Sequence, residues 1–292
     1  MTSARKPRPL LPLLLVAASL PALARPLPSP ALCDLNVQDL EQARCLLSPV
    51  KPYGRVGRPV TLLPVPWPRL LADQVRDVPA TGHLSAWLKK LGIQEYEIGG
   101  PLDQSISTNA GGEKARYFVI HDTSIVLDSR GSRGFPAGID GKAWSDARIQ
   151  SLARKSNAHV FVGRTGQSVT AVDFGTALVT TKFEKTDREA LEGLFVGVEN
   201  LQPRLRDRKG IDAIAPMPGF TPAQLRRLAI VYVAASARAG RWLIPAFHAV
   251  LDSGIPDAHD DPQHFDLGPF SAALDRVLLE LASDAPAAGG RS

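Results

Sequence analysis

Tyr117-Phe118-Val119-Ile120-His121 is the stretch that decides the fold. Four consecutive apolar residues leave no polar face, so the segment reads as a strand covered on both sides, as at the centre of a parallel sheet. A second run, Leu194-Phe195-Val196-Gly197-Val198, ends in Glu199, and a third, Ile244-Pro245-Ala246-Phe247, ends in His248. Shortly afterwards comes His259-Asp260-Asp261-Pro262. Two histidines, a carboxylate and a separate glutamate, each delivered from the edge of a buried element, are the parts of a catalytic zinc site. Such a site needs three protein ligands, an open position for water, and a base that is not itself a ligand.

Between about residues 98 and 283 strand-like and helix-like patterns alternate. That predicts a single α/β domain with a central mixed β-sheet flanked by helices, large enough to bury a full core. Residues 159–164 and 168–174 read as two strands around the turn Thr165-Gly166, and residues 146–155 as a helix. The clearest helix covers 220–240. Thr221 suits its N-cap, Pro222 its first position and Gln224 the far end of a capping box, while Gly240 ends it. Its inner face is Leu225, Leu228, Ala229 and Tyr232. A second amphipathic helix over 270–281 carries Phe270, Leu274, Val277, Leu278 and Leu281.

Residues 25–100 read as an irregular N-terminal extension, not a full domain. Helical spacing covers 35–47, a proline-rich extended wrap 49–68, and a short helix 83–91. Residues 284–292 are small and polar and are expected to be a disordered tail. Residues 1–24 read as a secretory signal: Arg5, Lys6 and Arg8 precede an apolar run too short to span a bilayer, and Ala22-Leu23-Ala24 supplies the cleavage pattern. Leu32 before Cys33 spoils a lipid-anchoring motif, so no stable membrane anchor is expected. The chain is expected to be periplasmic or secreted and monomeric. Cys33 and Cys45 are the two cysteines, and in an exported protein an isolated pair is most simply a disulfide. Removing the leader's three positive charges from the formal +5 leaves about +2. That weakens any case for a nucleic-acid partner, and the cluster Arg204, Arg206, Arg208 and Lys209 reads as a solvated loop.

The candidate residues divide by role. His121 shares a strand face with Val119 and Tyr117. Glu199 shares one with Gly197, whose missing side chain leaves room for a ligand or another group. Asp257, Asp260, Asp261 and Asp266 crowd one loop, which makes sense beside a cation, although their spacing fits no calcium loop. His159 is either a substrate or outer-sphere contact or a packed edge histidine. His264 reads as structural, and His83 as packing locally. H-E-x-x-H, G-x-S-x-G, G-x-G-x-x-G and Walker patterns are absent.

In order and local context four stretches resemble the zinc-dependent N-acetylmuramoyl-L-alanine amidases, which share a fold with peptidoglycan recognition proteins. They are Tyr-Phe-Val-Ile-His121, Asn157-Ala158-His159-Val160-Phe161-Val162, Val196-Gly197-Val198-Glu199, and Phe247-His248 with His259-Asp260-Asp261-Pro262. The resemblance covers about residues 117–281 and makes 101–283 an amidase-like catalytic domain. It implies one Zn2+ held by His121, His248 and Asp261, Glu199 as catalytic acid/base, and peptidoglycan or a muropeptide as substrate. His259 stands where the family usually has a lysine, and Gln263 where it has a glycine. His259 is then the candidate to steady the oxyanion. Two alternatives stay open: a non-catalytic peptidoglycan-binding protein on the same fold, and a zinc amidase or peptidase with another cell-wall substrate.

Overall fold

The computed structural model describes residues 26–72, 77–127, 134–207 and 212–284. The leader expected at 1–24 and the tail from 285 onward lie outside them. Five strands build the central sheet: β1 (Tyr117–Asp122), β2 (Val160–Val162), β3 (Ser168–Thr170), β4 (Phe195–Asn200) and β5 (Ile244–Phe247). Their order is β5-β1-β4-β2-β3. The first four are mutually parallel, and β3 returns antiparallel to β2. Every residue of β1 and β5 is buried, the burial that uninterrupted apolar runs require.

Register places the site. Ile120 pairs with Phe247 across β1 and β5, and His121 with Glu199 across β1 and β4. The C-terminal ends of three parallel strands therefore lie side by side, where ligands of α/β sheets gather.

Five longer helices surround the sheet: α1 (Asp39–Leu46), α2 (Thr81–Lys90), α3 (Lys142–Ala153), α4 (Pro222–Ala239) and α5 (Leu267–Ser283). Helix α4 starts as expected, with the Thr221 hydroxyl accepting from the Gln224 amide at 3.1 Å, and ends at Gly240 with φ 70°. The capping box is not completed. The buried Gln224 side chain instead donates to the carbonyls of Val162 and Leu201, both at 3.1 Å. The Val162 carbonyl also accepts from the Leu201 amide at 2.8 Å, so the buried Gln224 amide ties the ends of two neighbouring strands to the start of α4.

The N-terminal extension is part of the same core. Trp67 is fully buried, donates to the Ser271 hydroxyl at 2.7 Å and meets Tyr232 edge-on at 5.3 Å. Helix α1 packs against β5, the Gln42 side chain accepts from the Tyr117 hydroxyl at 2.8 Å, and Asp39 pairs with both Arg116 and Arg241. Cys33 and Cys45 form the disulfide, with 5.7 Å between Cα atoms. The proline-rich wrap contains a short antiparallel pair, Val50–Lys51 with Arg55–Val56, and one helical turn at Trp67–Leu70. Among the described residues no helix is long and apolar enough to cross a membrane.

A smaller sheet joins Ile125–Val126 to Pro203–Arg206 and Ala213–Ile214. It corrects one expectation. Arg204 is not on a solvated loop but is 2% exposed behind the strand ends, where the carboxylates of Asp122 and Asp260 accept from its guanidinium, while Arg206 on the same strand is exposed.

Candidate metal centre

His121, at the penultimate position of β1, and His248, which opens the helical turn after β5, face each other with their Nδ1 atoms 2.9 Å apart. Asp261 completes the group. One of its oxygens is 3.0 Å from His248 Nδ1 and the other 3.7 Å from His121 Nδ1. All three side chains are buried, and one ligand atom from each lies within 4.8 Å of the others, so the group could hold a metal ion. Neighbouring ligand atoms of a tetrahedral zinc, each ~2.0–2.1 Å from the ion, are about 3.3 Å apart. The observed separations bracket that figure. Two imidazole nitrogens and one carboxylate also suit zinc better than calcium, which takes oxygens alone.

Outer contacts orient the grouped side chains. His248 Nε2 lies 2.9 Å from Asp252 Oδ2, which leaves Nδ1 on the side of the group. Asp252 is itself held by the Phe183 amide at 2.9 Å. The amide of Asp122 donates to Asp261 at 3.1 Å. Burial opposes charge on both rings. On His248 the carboxylates Asp261 and Asp252 outweigh burial and push the imidazole up to about 10. On His121 burial and the charge on His248 pull it down to about 3. At neutral pH the two rings thus carry one positive charge between them, and a cation in the same place would displace the extra proton.

Glu199 lies beside this group and outside it. The residue is partly exposed, yet its Oε2 is shut off from solvent and has no hydrogen-bond partner. Burial first, then the charges of Asp261 and Asp122, raise the carboxyl to about 8. An unpaired buried carboxylate oxygen is costly unless a donor or cation meets it. The space over Gly197 has a simpler occupant than a ligand. A Cβ there would lie 2.7 Å from the Thr180 hydroxyl, so Thr180 fills it.

His259 stands at the rim. Its side chain is 53% exposed, with Nδ1 3.6 Å from Asp261 and the ring centroid 4.5 Å from that of His248. The crowded acids disperse to separate partners. Asp260 pairs with Arg204 at 2.6 Å, and Asp266 caps α5 by accepting from the Gly268 amide at 3.0 Å. Asp257 is exposed, and Asp261 alone of the four joins the histidines. His264 is structural, 3.0 Å from the Pro216 carbonyl, and His83 is 3.8 Å from Asp284, far along the chain from the group.

His159 is a packed histidine. It is fully buried, its Nδ1 accepts from the Gly197 amide at 3.1 Å, and Nε2 faces the Thr176 carbonyl at 3.1 Å. With both nitrogens committed to backbone, no substrate contact remains for it. Burial pulls it down to about 4. A histidine lowered from its ordinary value gives stability that is full above about pH 6.5 and is lost as pH falls toward 4, about 3 kcal/mol for this ring. Urea unfolding at pH 7.5 and 4.5 should show that loss, and His159→Gln should shrink the difference between the two midpoints.

Sequence reasoning missed Asp252, Asp122 and Arg204. Asp252 follows His248 by four residues, the spacing that brings side chains together on a helical turn, and that signal was readable.

No protein-family model matches the chain, and no curated protein matches it. Among solved structures, the crystal structure of a selenomethionine derivative of AmpD is similar, with 18% sequence identity and a TM-score of 0.31 over 59% of this chain and 92% of that one.

Proposed function

We propose that the chain is an exported zinc hydrolase that cleaves the amide between the lactyl group of N-acetylmuramic acid and L-alanine in peptidoglycan. The observation that carries the reading is the meeting of His121, His248 and Asp261 with an unpartnered Glu199 carboxylate beside them. The order of the four sequence stretches supplies the substrate class. The disulfide supports an oxidising compartment, in keeping with the leader expected at residues 1–24.

Zinc held by His121, His248 and Asp261 would supply Lewis acidity and lower the pKa of water in the site. The chain's own residues do the rest. Asp252 keeps His248 in the ligating tautomer. Glu199, whose Oε2 has no hydrogen-bond partner, takes a proton from the attacking water as the new carbon–oxygen bond forms. It returns that proton to the L-alanine nitrogen as the carbon–nitrogen bond breaks, which leaves a lactyl carboxylate and a free amine. His259, exposed at the rim, donates to the developing oxyanion.

Zinc-loaded protein incubated with purified sacculi should release peptides with a free L-alanine amino terminus, read by mass spectrometry. Cleavage at a peptide bond further along the stem would replace this reading with a peptidase. Binding of sacculi without cleavage would replace it with a binding protein. His259→Ala should lower kcat by about 10²-fold, the usual cost of one oxyanion donor, at unchanged zinc content. Unchanged kcat would remove His259 from the mechanism.

A further inference from the structure

One guanidinium holds the chain neighbours of two of the three candidate ligands. Arg204 Nη2 donates to both oxygens of Asp122 at 3.0 and 2.9 Å, and Asp122 directly follows His121. Arg204 Nη1 donates to Asp260 at 2.6 Å, and Asp260 directly precedes Asp261. The Arg204 and Asp122 side chains are 2% and 0% exposed. A charged pair this deep is expensive to bury and persists only where geometry and further hydrogen bonds satisfy it.

Several of those further bonds lead to the ligand loop. The Asp122 carboxylate accepts from the Gln263 amide at 2.9 Å, beyond Asp261 in the chain. The Ser124 amide and hydroxyl, both at 2.9 Å, complete its shell. The Asp122 amide donates to the Asp261 carboxylate itself. The Gln263 side chain donates to Asp260 and to the Ala213 carbonyl, and accepts from the Ala215 amide at 3.0 Å. The loop at 260–263 belongs to no helix or strand; the Ala249 amide holds the Asp261 carbonyl at 2.8 Å, and this network ties the same loop to the end of β1.

We propose that Arg204 is a positioning residue of the metal centre, clamping β1 to the loop that carries Asp261. The fork is needed, not the charge alone. A guanidinium spans Asp122 with one amino group and Asp260 with the other, whereas a lysine ammonium is a single point that serves one of them. The proposal rests on reading His121, His248 and Asp261 as zinc ligands.

The test compares wild type, Arg204→Lys, Asp260→Asn and, as a control on the same strand, the exposed Arg206→Lys. Zinc affinity is measured by chelator competition. Amide hydrogen exchange is measured on the metal-free proteins. Arg204→Lys should weaken zinc binding by about 10–100-fold, the range typical of lost outer contacts. It should also speed exchange of the Asp122 and Gln263 amides by about tenfold while Tyr232 in α4 stays protected. Asp260→Asn, which loosens one arm, should show a smaller shift in the same direction, and Arg206→Lys none. A folded Arg204→Lys protein with zinc affinity within about twofold of wild type would overturn the proposal, since a factor of two is under 0.5 kcal/mol. If wild type takes up no zinc, the ligand reading fails by itself. The exchange comparison then decides the clamp, and unchanged Asp122 and Gln263 protection overturns it.

Discussion

Glu199→Gln is expected to lower turnover on sacculi by about 10²–10⁴-fold, the usual contribution of a positioned acid/base, while zinc content stays at wild-type level. Glutamine keeps the size of the side chain and loses the capacity to take a proton. The metal should stay because Glu199 is not one of the three grouped residues. The loss should fall on kcat, since proton transfer is made in the transition state and not on binding. A second readout separates this role from a structural one. Glu199 is raised from its ordinary 4.5 to about 8 in the folded protein. A carboxyl raised in this way holds its proton more tightly folded than unfolded, so its contribution favours the fold at low pH and declines as pH rises from about 4.5 through 8. Metal-free Glu199→Gln should therefore lose less stability than wild type between pH 5 and 9 in urea unfolding. Wild-type-like release of L-alanine-linked peptides by the variant would reject the assigned role.

His248→Ala is expected to abolish stoichiometric zinc binding and to destabilise the metal-free protein as well. His248 is the hub of the group: Nδ1 faces both His121 and Asp261, and Nε2 faces Asp252. Its removal deletes a candidate ligand and leaves Asp252 and Asp261, 0% and 2% exposed, without their shared cation. Breaking a buried pair from one side costs about 3–5 kcal/mol. The affinity loss should exceed the about 10–100-fold typical of an outer contact. Elemental analysis after dialysis reads the first effect and urea midpoints at pH 7 the second. Retained zinc at one ion per chain would show that the ion sits elsewhere.

The parts of the fold that were legible in the sequence are those written in local pattern. The runs ending at His121, Glu199 and His248 each announce a buried strand and its terminal polar group, and parallel pairing puts those ends together. Helix α4 was legible from Thr221, Pro222 and Gly240. What was hidden depends on partners far away in the chain. Arg204 looks like one basic residue among several until Asp122, 82 residues earlier, is placed beside it. Gln224 fits a capping box by spacing, and only the position of two strand-end carbonyls diverts it. Gly197 signals room, but not that Thr180 takes it. The acid-rich loop misled for the same reason, because its charges answer to an arginine, a helix end and solvent separately.

The packing of α1 against β5 has a consequence for how the chain matures. Ribosomes deliver residues 39–46 about two hundred positions ahead of residues 244–247, and the edge they share exists only after both are made. Leu35, Leu46 and Trp67 must wait for covering partners during that interval. Closure by such remote contacts is slow relative to local folding. The covalent loop between Cys33 and Cys45, once closed in an oxidising compartment, narrows the conformations open to the early segment before it docks on the late strand.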